Sequence, residues 1–148
     1  MSSGIAISIV KLCVGAASID DLATWQERQK IMRRRAGLDP RPVCDTRMTP
    51  KRAEEVTAGG SLYWVIKGVI LVRQTIEDIV TFDDSAGRSR CEFVLNPELI
   101  KTAPQRRKAF QGWRYFEAKD APPDLTIALG GEALPQDLRA ELIELGVW

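Results

Sequence analysis

The chain has no histidine in its 148 residues. Without it there is no Ser-His-Asp or Cys-His nucleophile pair, no two-histidine iron site and no His-ligated zinc site. Catalysis of any kind would have to use Lys, Arg, Tyr, Asp, Glu or Cys. Cysteine is also scarce: Cys13, Cys44 and Cys91 are odd in number, far apart and without a C-x-x-C pair. That spacing argues against a disulfide framework and a zinc ribbon, and predicts buried, inert thiols. Long apolar runs are missing as well. The longest, residues 62–72, is interrupted by Lys67 and Gly68, well short of the roughly 20 apolar residues of a membrane helix. The opening Met1-Ser2-Ser3-Gly4 lacks the cationic start of a signal peptide, and Lys11 and Cys13 break the apolar stretch behind it, so a cytoplasmic location is expected. There is no internal repeat and no low-complexity segment.

What is present is the composition of an ordinary globular domain, 45% apolar and 28% charged. A chain of this length fits one domain, residues 1–148, that buries roughly 70% of its unfolded surface. The net charge of +1 hides a segregation along the chain. Residues 22–52 carry nine Lys and Arg against Glu27, Asp39 and Asp45, and residues 101–114 carry five cations and no acid. From Glu117 onward seven acids face Lys119 and Arg139. A bipolar surface follows, with one side suited to phosphate.

Residues 5–12, rich in β-branched side chains between Gly4 and Gly15, predict a buried strand. Ser18 reads as an N-cap with Asp20 and Asp21 in the first turn, opening a helix over 19–36 that Gly37 ends. Its apolar stripe is expected at Leu22, Trp25 and Met32; the cluster Arg33 to Arg35 suits either phosphate or a solvated helix end. A short strand over 44–48 precedes Thr49-Pro50, which predicts a second helix to about Ala58, stopped by Gly59-Gly60. Lys51 and Arg52 would fall in its first turn, where a cation is unfavourable without an anion or an acidic partner such as Glu54 or Glu55.

Residues 62–80 are strand-like but too long for one strand, so the chain must bend at Lys67-Gly68, as a hairpin turn or as a bulge. Under the bulge reading Leu62, Trp64, Ile66, Ile70, Val72 and Ile76 face the core, and Tyr63, Lys67 and Arg73 the other side. A hairpin loop at 83–87 leads to a strand over 90–95, then a helical turn at Asn96-Pro97-Glu98, a basic loop over 103–108 and an aromatic strand over 110–116. After Pro122-Pro123 come an unassigned stretch over 125–129 and a last helix opened by Pro135, with Leu134, Leu138, Leu142 and Leu145 as its stripe and Trp148 tucked back.

The strings Arg47-Met48-x-Pro50-Lys51-Arg52-Ala53, Gly59-Gly60-Ser61-Leu62-Tyr63-Trp64-Val65-Ile66-Lys67-Gly68 and Phe110-Gln111-Gly112-Trp113-Arg114-Tyr115 resemble a family of alphaproteobacterial proteins of about this length, a domain of unknown function. The resemblance extends to Gly146-Val147-Trp148 and implies no particular activity. More distantly, the order of basic helix, glycine stop, Tyr-Trp strand, Lys-Gly bend, long strand, hairpin and aromatic strand resembles the PUA-like barrels of the ASCH and EVE branches. That resemblance implies an α+β fold, a small mixed or antiparallel β-barrel flanked by helices, and binding of RNA or a modified nucleobase. The Gly-x-Lys-x-x-Glu-x-Arg pattern of ASCH domains is not reproduced after Gly59-Gly60.

Cations beside aromatics twice over, at Tyr63, Trp64 and Lys67 and at Trp113, Arg114 and Tyr115, suit phosphates and stacked bases. Trp64 and at least one of Trp113 and Tyr115 are expected in the core, which leaves Tyr63 as the better stacking surface. The expected function is non-catalytic binding of RNA or a modified base by Arg47, Lys51, Arg52, Tyr63, Lys67, Arg73 and Arg114, with no cofactor and no membrane partner. Arg106, Arg107 and Lys108 are as well read as solvated surface as phosphate contacts, and Gln74 as a group that satisfies buried backbone more than one that reads a base edge. Two alternatives stay open. One is a small enzyme acting on a phosphorylated or nucleotide-like ligand, with Lys67 or Tyr63 as base beside Glu54 or Glu55. The other is a protein-interaction module using the acidic C-terminal helix.

Overall fold

A computed structural model describes residues 7–108 and 110–125. Its axis is β4 (Val69–Asp83), a strand of 15 residues long enough to hold different partners along its two halves. Toward its start it pairs with β3 (Ser61–Ile66) on one side and β6 (Ile100–Arg106) on the other. Toward its end it pairs with β5 (Ser89–Leu95). β5 and β6 thus run along one edge of β4, both antiparallel to it, interrupted at Asn96-Pro97 where proline cannot continue the ladder. Beyond β3 lie β1 (Ser8–Leu12), parallel to it, and β7 (Trp113–Phe116), antiparallel to β1; β2 (Val43–Thr46) flanks β5. The order β2-β5-β4-β3-β1-β7, with β6 on β4, makes a mixed, open seven-stranded sheet among the described residues.

The chain turns at Lys67 and Gly68, and both have positive φ, 51° and 78°, as a two-residue primed hairpin turn requires. The bend is therefore a hairpin, with a separate irregularity one step away: Trp64 and Val65 face Val72 and Ile70, leaving Leu71 as the extra residue. This shifts the phase of β4. Leu62, Trp64, Ile66, Val72 and Ile76 lie in the main core as the alternation predicts, but Ile70 joins Val10, Tyr63, Val65 and Phe116 on the opposite face. β3 is buried at all six positions because both its faces are covered, which explains its unbroken apolar run.

Two helices lie between β1 and β3, one on each side of β2 in the chain. α1 (Ile19–Arg35) starts at Ser18, whose hydroxyl accepts from the Asp21 N–H at 3.1 Å. The stripe expected on α1 is corrected by the structure. The buried positions are Ile19, Leu22 and Gln26, whereas Trp25 is 49% and Met32 69% exposed. One turn beyond Gln26, the Gln29 side-chain amide accepts from Val43 N–H at 3.1 Å and donates to Val43 C=O at 3.4 Å, standing in for a strand on the free edge of β2.

α2 (Ala53–Thr57) begins three residues later than Thr49-Pro50 predicts, and Arg52 caps it without a side-chain hydrogen bond. Two further expectations give way: the helical turn at 96–98 is a bend, and much of the basic loop at 103–108 belongs to β6. Pro104 is tolerated there because β6 is an edge strand. The aromatic strand is shorter than predicted. The stretch at 126–129, the last helix and Trp148 lie outside the described residues, as do residues 5 and 6 of the first strand. Among the described residues no helix is long and apolar enough to cross a membrane.

Candidate functional site

Where β1 ends and turns into α1, the chain leaves a cleft of about 460 Å³. One wall is the segment 11–16, the second is the first two turns of α1 with Asp21, Leu22 and Trp25, and the third is Cys44 and Asp45 of β2, with Trp64 also lining it. Its volume is that of a small-molecule site. Trp25 stands at it half-exposed, and Val14 at its rim is 88% exposed. The buried Trp64 cannot turn freely, since its indole N–H donates to Gln74 Oε1 at 2.8 Å.

Three charged groups line the cleft. Asp21 uses one carboxylate oxygen on the Ala17 N–H at 2.9 Å, and Asp45 one on Arg90 at 3.0 Å, so each keeps a second oxygen without a hydrogen-bond partner among the described residues. Lys11, the third, makes no ion pair among the described residues. Burial pushes the Cys13 thiol up to about 11 and the Cys44 thiol to about 12, only partly opposed by the positive charge of Lys11. Both are therefore neutral thiols at pH 7, apolar wall rather than nucleophile. Among the described residues no group of three or more Cys, Asp or Glu is placed to hold a metal ion.

The seven residues named from the sequence do not line this cleft, and the sheet divides them. Tyr63, Arg73 and Arg114 share one face: Tyr63 pairs across the ladder with Arg73, and Val10 lies between Tyr63 and Arg114. Tyr63 is buried edge-on against Phe116 at a centroid distance of 5.2 Å, so its ring offers no stacking surface. Arg114 lies over the Phe110 ring at 5.3 Å and donates to the carbonyls of Gln111 and Trp113. Lys67 sits exposed at the hairpin tip. Arg52 is bound to Glu55 at 2.6 Å and lies over the Tyr115 ring, while its N–H donates to the Tyr115 hydroxyl at 3.1 Å. The acidic partner is thus the one that stands beside Arg52. Arg47 and Lys51 are exposed and make no ion pair among the described residues.

Arg73 has a structural partner. Its guanidinium meets Asp124 through two bonds of 2.7 and 2.8 Å and Ser61 through one of 2.9 Å, fastening the chain after β7 onto the sheet. The Arg73 bonds outweigh burial and hold the Asp124 carboxyl below its ordinary value. A depressed carboxylate pKa stabilises the fold above the unfolded pKa of about 3.9 and loses that contribution as pH falls through the folded value. Asp124→Asn is therefore expected to cost about 1–2 kcal/mol at pH 7. Urea titrations should show the gap from wild type closing below about pH 4; an equal gap at pH 7 and pH 2 would mean that the ion pair is not its source.

Sequence reasoning missed Lys11, Asp21, Trp25 and Asp45, and one signal could have found Trp25. Ile19, Leu22, Gln26 and Gln29 recur at helical spacing and form a stripe that leaves Trp25 outside. No curated protein and no solved structure matches the chain. Residues 9–148 match the family model described as "Protein of unknown function (DUF1489)", and the chain belongs to that family.

Proposed function

We propose that the protein binds a nucleobase, free or as part of RNA, without transforming it, and that the base enters the cleft between the β1–α1 loop and β2. The observation that carries this reading is Trp25, a half-exposed indole at a cleft of about 460 Å³ that also holds two carboxylates and an ammonium group. An indole face stacks on any base, while Asp21 and Asp45 accept from ring or exocyclic N–H groups and Lys11 donates to a carbonyl or a phosphate. The protonated state of Cys13 and Cys44 and the lack of histidine favour binding over reaction. The PUA-like resemblance, with a barrel completed around this sheet and a cytoplasmic site of action, belongs to the same proposal.

Base stacking contributes about 1–3 kcal/mol, so Trp25→Ala is expected to weaken binding by roughly 5- to 150-fold. The check is a titration of nucleoside monophosphates and of a short mixed-sequence RNA single strand, with Tyr63→Phe as a control that should bind like wild type. Undiminished binding by Trp25→Ala, or no binding by wild type at low salt, would sink the reading.

A further inference from the structure

The exposed face of α1 does not stop at the cleft. Trp25, Arg28, Met32 and Arg35 follow one another at spacings of three and four, which places them on one stripe of the helix. All four are exposed. Arg28, Arg34 and Arg35 make no ion pair among the described residues, whereas Lys30 pairs with Glu27 and Arg33 donates to the Asp39 carbonyl. The favourable field at a helix C-terminus accounts for arginines in the last turn. It does not account for Arg28 in the middle of the helix, nor for an indole and a thioether exposed on the same line.

We infer that this stripe is a track for single-stranded nucleic acid, with a base at Trp25 in the cleft and the adjoining phosphates on Arg28 and Arg35. The inference rests on the function proposed above and narrows its ligand to a strand. From Trp25 to Arg35 the helix rises about 15 Å, room for a few nucleotides of an extended strand. Helical side chains lean toward the N-terminus, so Arg28 inclines toward Trp25. Charge separates the two ends: at the cleft Asp21 and Asp45 suit the N–H groups of a base and Lys11 can take one phosphate, and along the helix Arg28 and Arg35 attract the phosphates that follow.

The test compares wild type, Trp25→Ala and Arg28→Ala/Arg35→Ala against RNA and DNA single strands, a duplex, nucleoside monophosphates and an acidic helical peptide. The arginine variant removes exposed groups that make no ion pair among the described residues and should fold normally. It is expected to bind single strands at least about tenfold more weakly at low salt, with the slope of log K against log salt shallower by about 1.4, since each single-strand phosphate contact contributes about 0.7. Its monophosphate binding should fall by less than its strand binding, since a monophosphate has at most one phosphate to place on Arg28. Single strands that bind no tighter than monophosphates, or an arginine variant with full affinity and slope, would overturn the track and leave the base site standing. Undiminished binding by Trp25→Ala would overturn the base site and, with it, the track that starts there. Arginine-dependent binding of the duplex or of the peptide in preference to single strands would assign the stripe to another class of partner and overturn the inference.

Discussion

Gly60→Ala is expected to destabilise the protein by about 3 kcal/mol or more and to lower its Tm by roughly 10 °C. The reason is space, not conformational freedom. An added Cβ would run into the backbone carbonyl oxygen of Ile7 and stand 2.6 Å from that of Val56. Both obstacles are main chain and cannot swing aside. Gly60 is where three elements meet: its N–H donates to Val56 C=O at 2.7 Å, ending α2, and its C=O accepts from Ile76 N–H at 3.0 Å on β4. The start of β1 leans on the same joint through the Ile7 N–H to Glu55 C=O bond. Gly37→Ala is the informative control, since φ is +73° there but nothing lies within 4 Å of the added carbon. Only backbone strain, about 1 kcal/mol, should be lost at Gly37. Thermal melts of the two variants separate the terms. Equal losses would mean that the close approach at Gly60 is not what sets the joint.

Local chemistry made some of this architecture legible and left the rest hidden. Ser18 with its two aspartates is a helix start that depends on nothing distant, and Lys67-Gly68 between apolar runs had to be a turn or a bulge. The choice between those two depended on which strands paired, and the chain uses both devices within a few residues. β6 was hidden because Pro104, Gln105 and Arg106 read as loop, and only its place at an edge beside β4 makes them a strand. The buried stripe of α1 was hidden for a different reason. Trp25 and Met32 have the greater hydrophobicity, but Gln26 is buried because a partner 48 residues away satisfies it. The cleft assembles walls from 11–16, α1, β2 and β3, so no contiguous string announces it. The cations and aromatics that did stand together in the sequence are separated by the pleat, which sends neighbours to opposite faces of a sheet.

That distant partner gives the other large expected effect. Gln74 is fully buried, and its amide uses its whole hydrogen-bonding capacity. Its Oε1 accepts from Gln26 Nε2 at 2.7 Å and from Trp64 Nε1 at 2.8 Å; its Nε2 donates to Gln26 Oε1 at 2.9 Å and to the Asn96 carbonyl at 3.0 Å. Gln74→Leu leaves the Gln26 amide, the Trp64 N–H and the Asn96 carbonyl without these partners inside the protein. At about 1–3 kcal/mol for each unsatisfied group, and allowing for partial relaxation, the expected loss is about 4 kcal/mol. Gln26→Leu/Gln74→Leu should be more stable than Gln74→Leu alone, because it removes the two orphaned groups of Gln26 together with their desolvation. Urea denaturation of the two single variants and the double variant closes the cycle, and a coupling energy near zero would refute the network. The same bonds connect stability to the cleft, since Gln26 lies one residue from Trp25 on α1 and Trp64 lines the cavity. Gln74→Leu should therefore weaken the proposed nucleobase binding even under conditions where it remains folded, through loss of position of α1 and the Trp64 ring rather than of any ligand contact. Binding that survives intact in the folded variant would show that α1 is held at the cleft by Ile19, Leu22 and Gln29 without this buried pair.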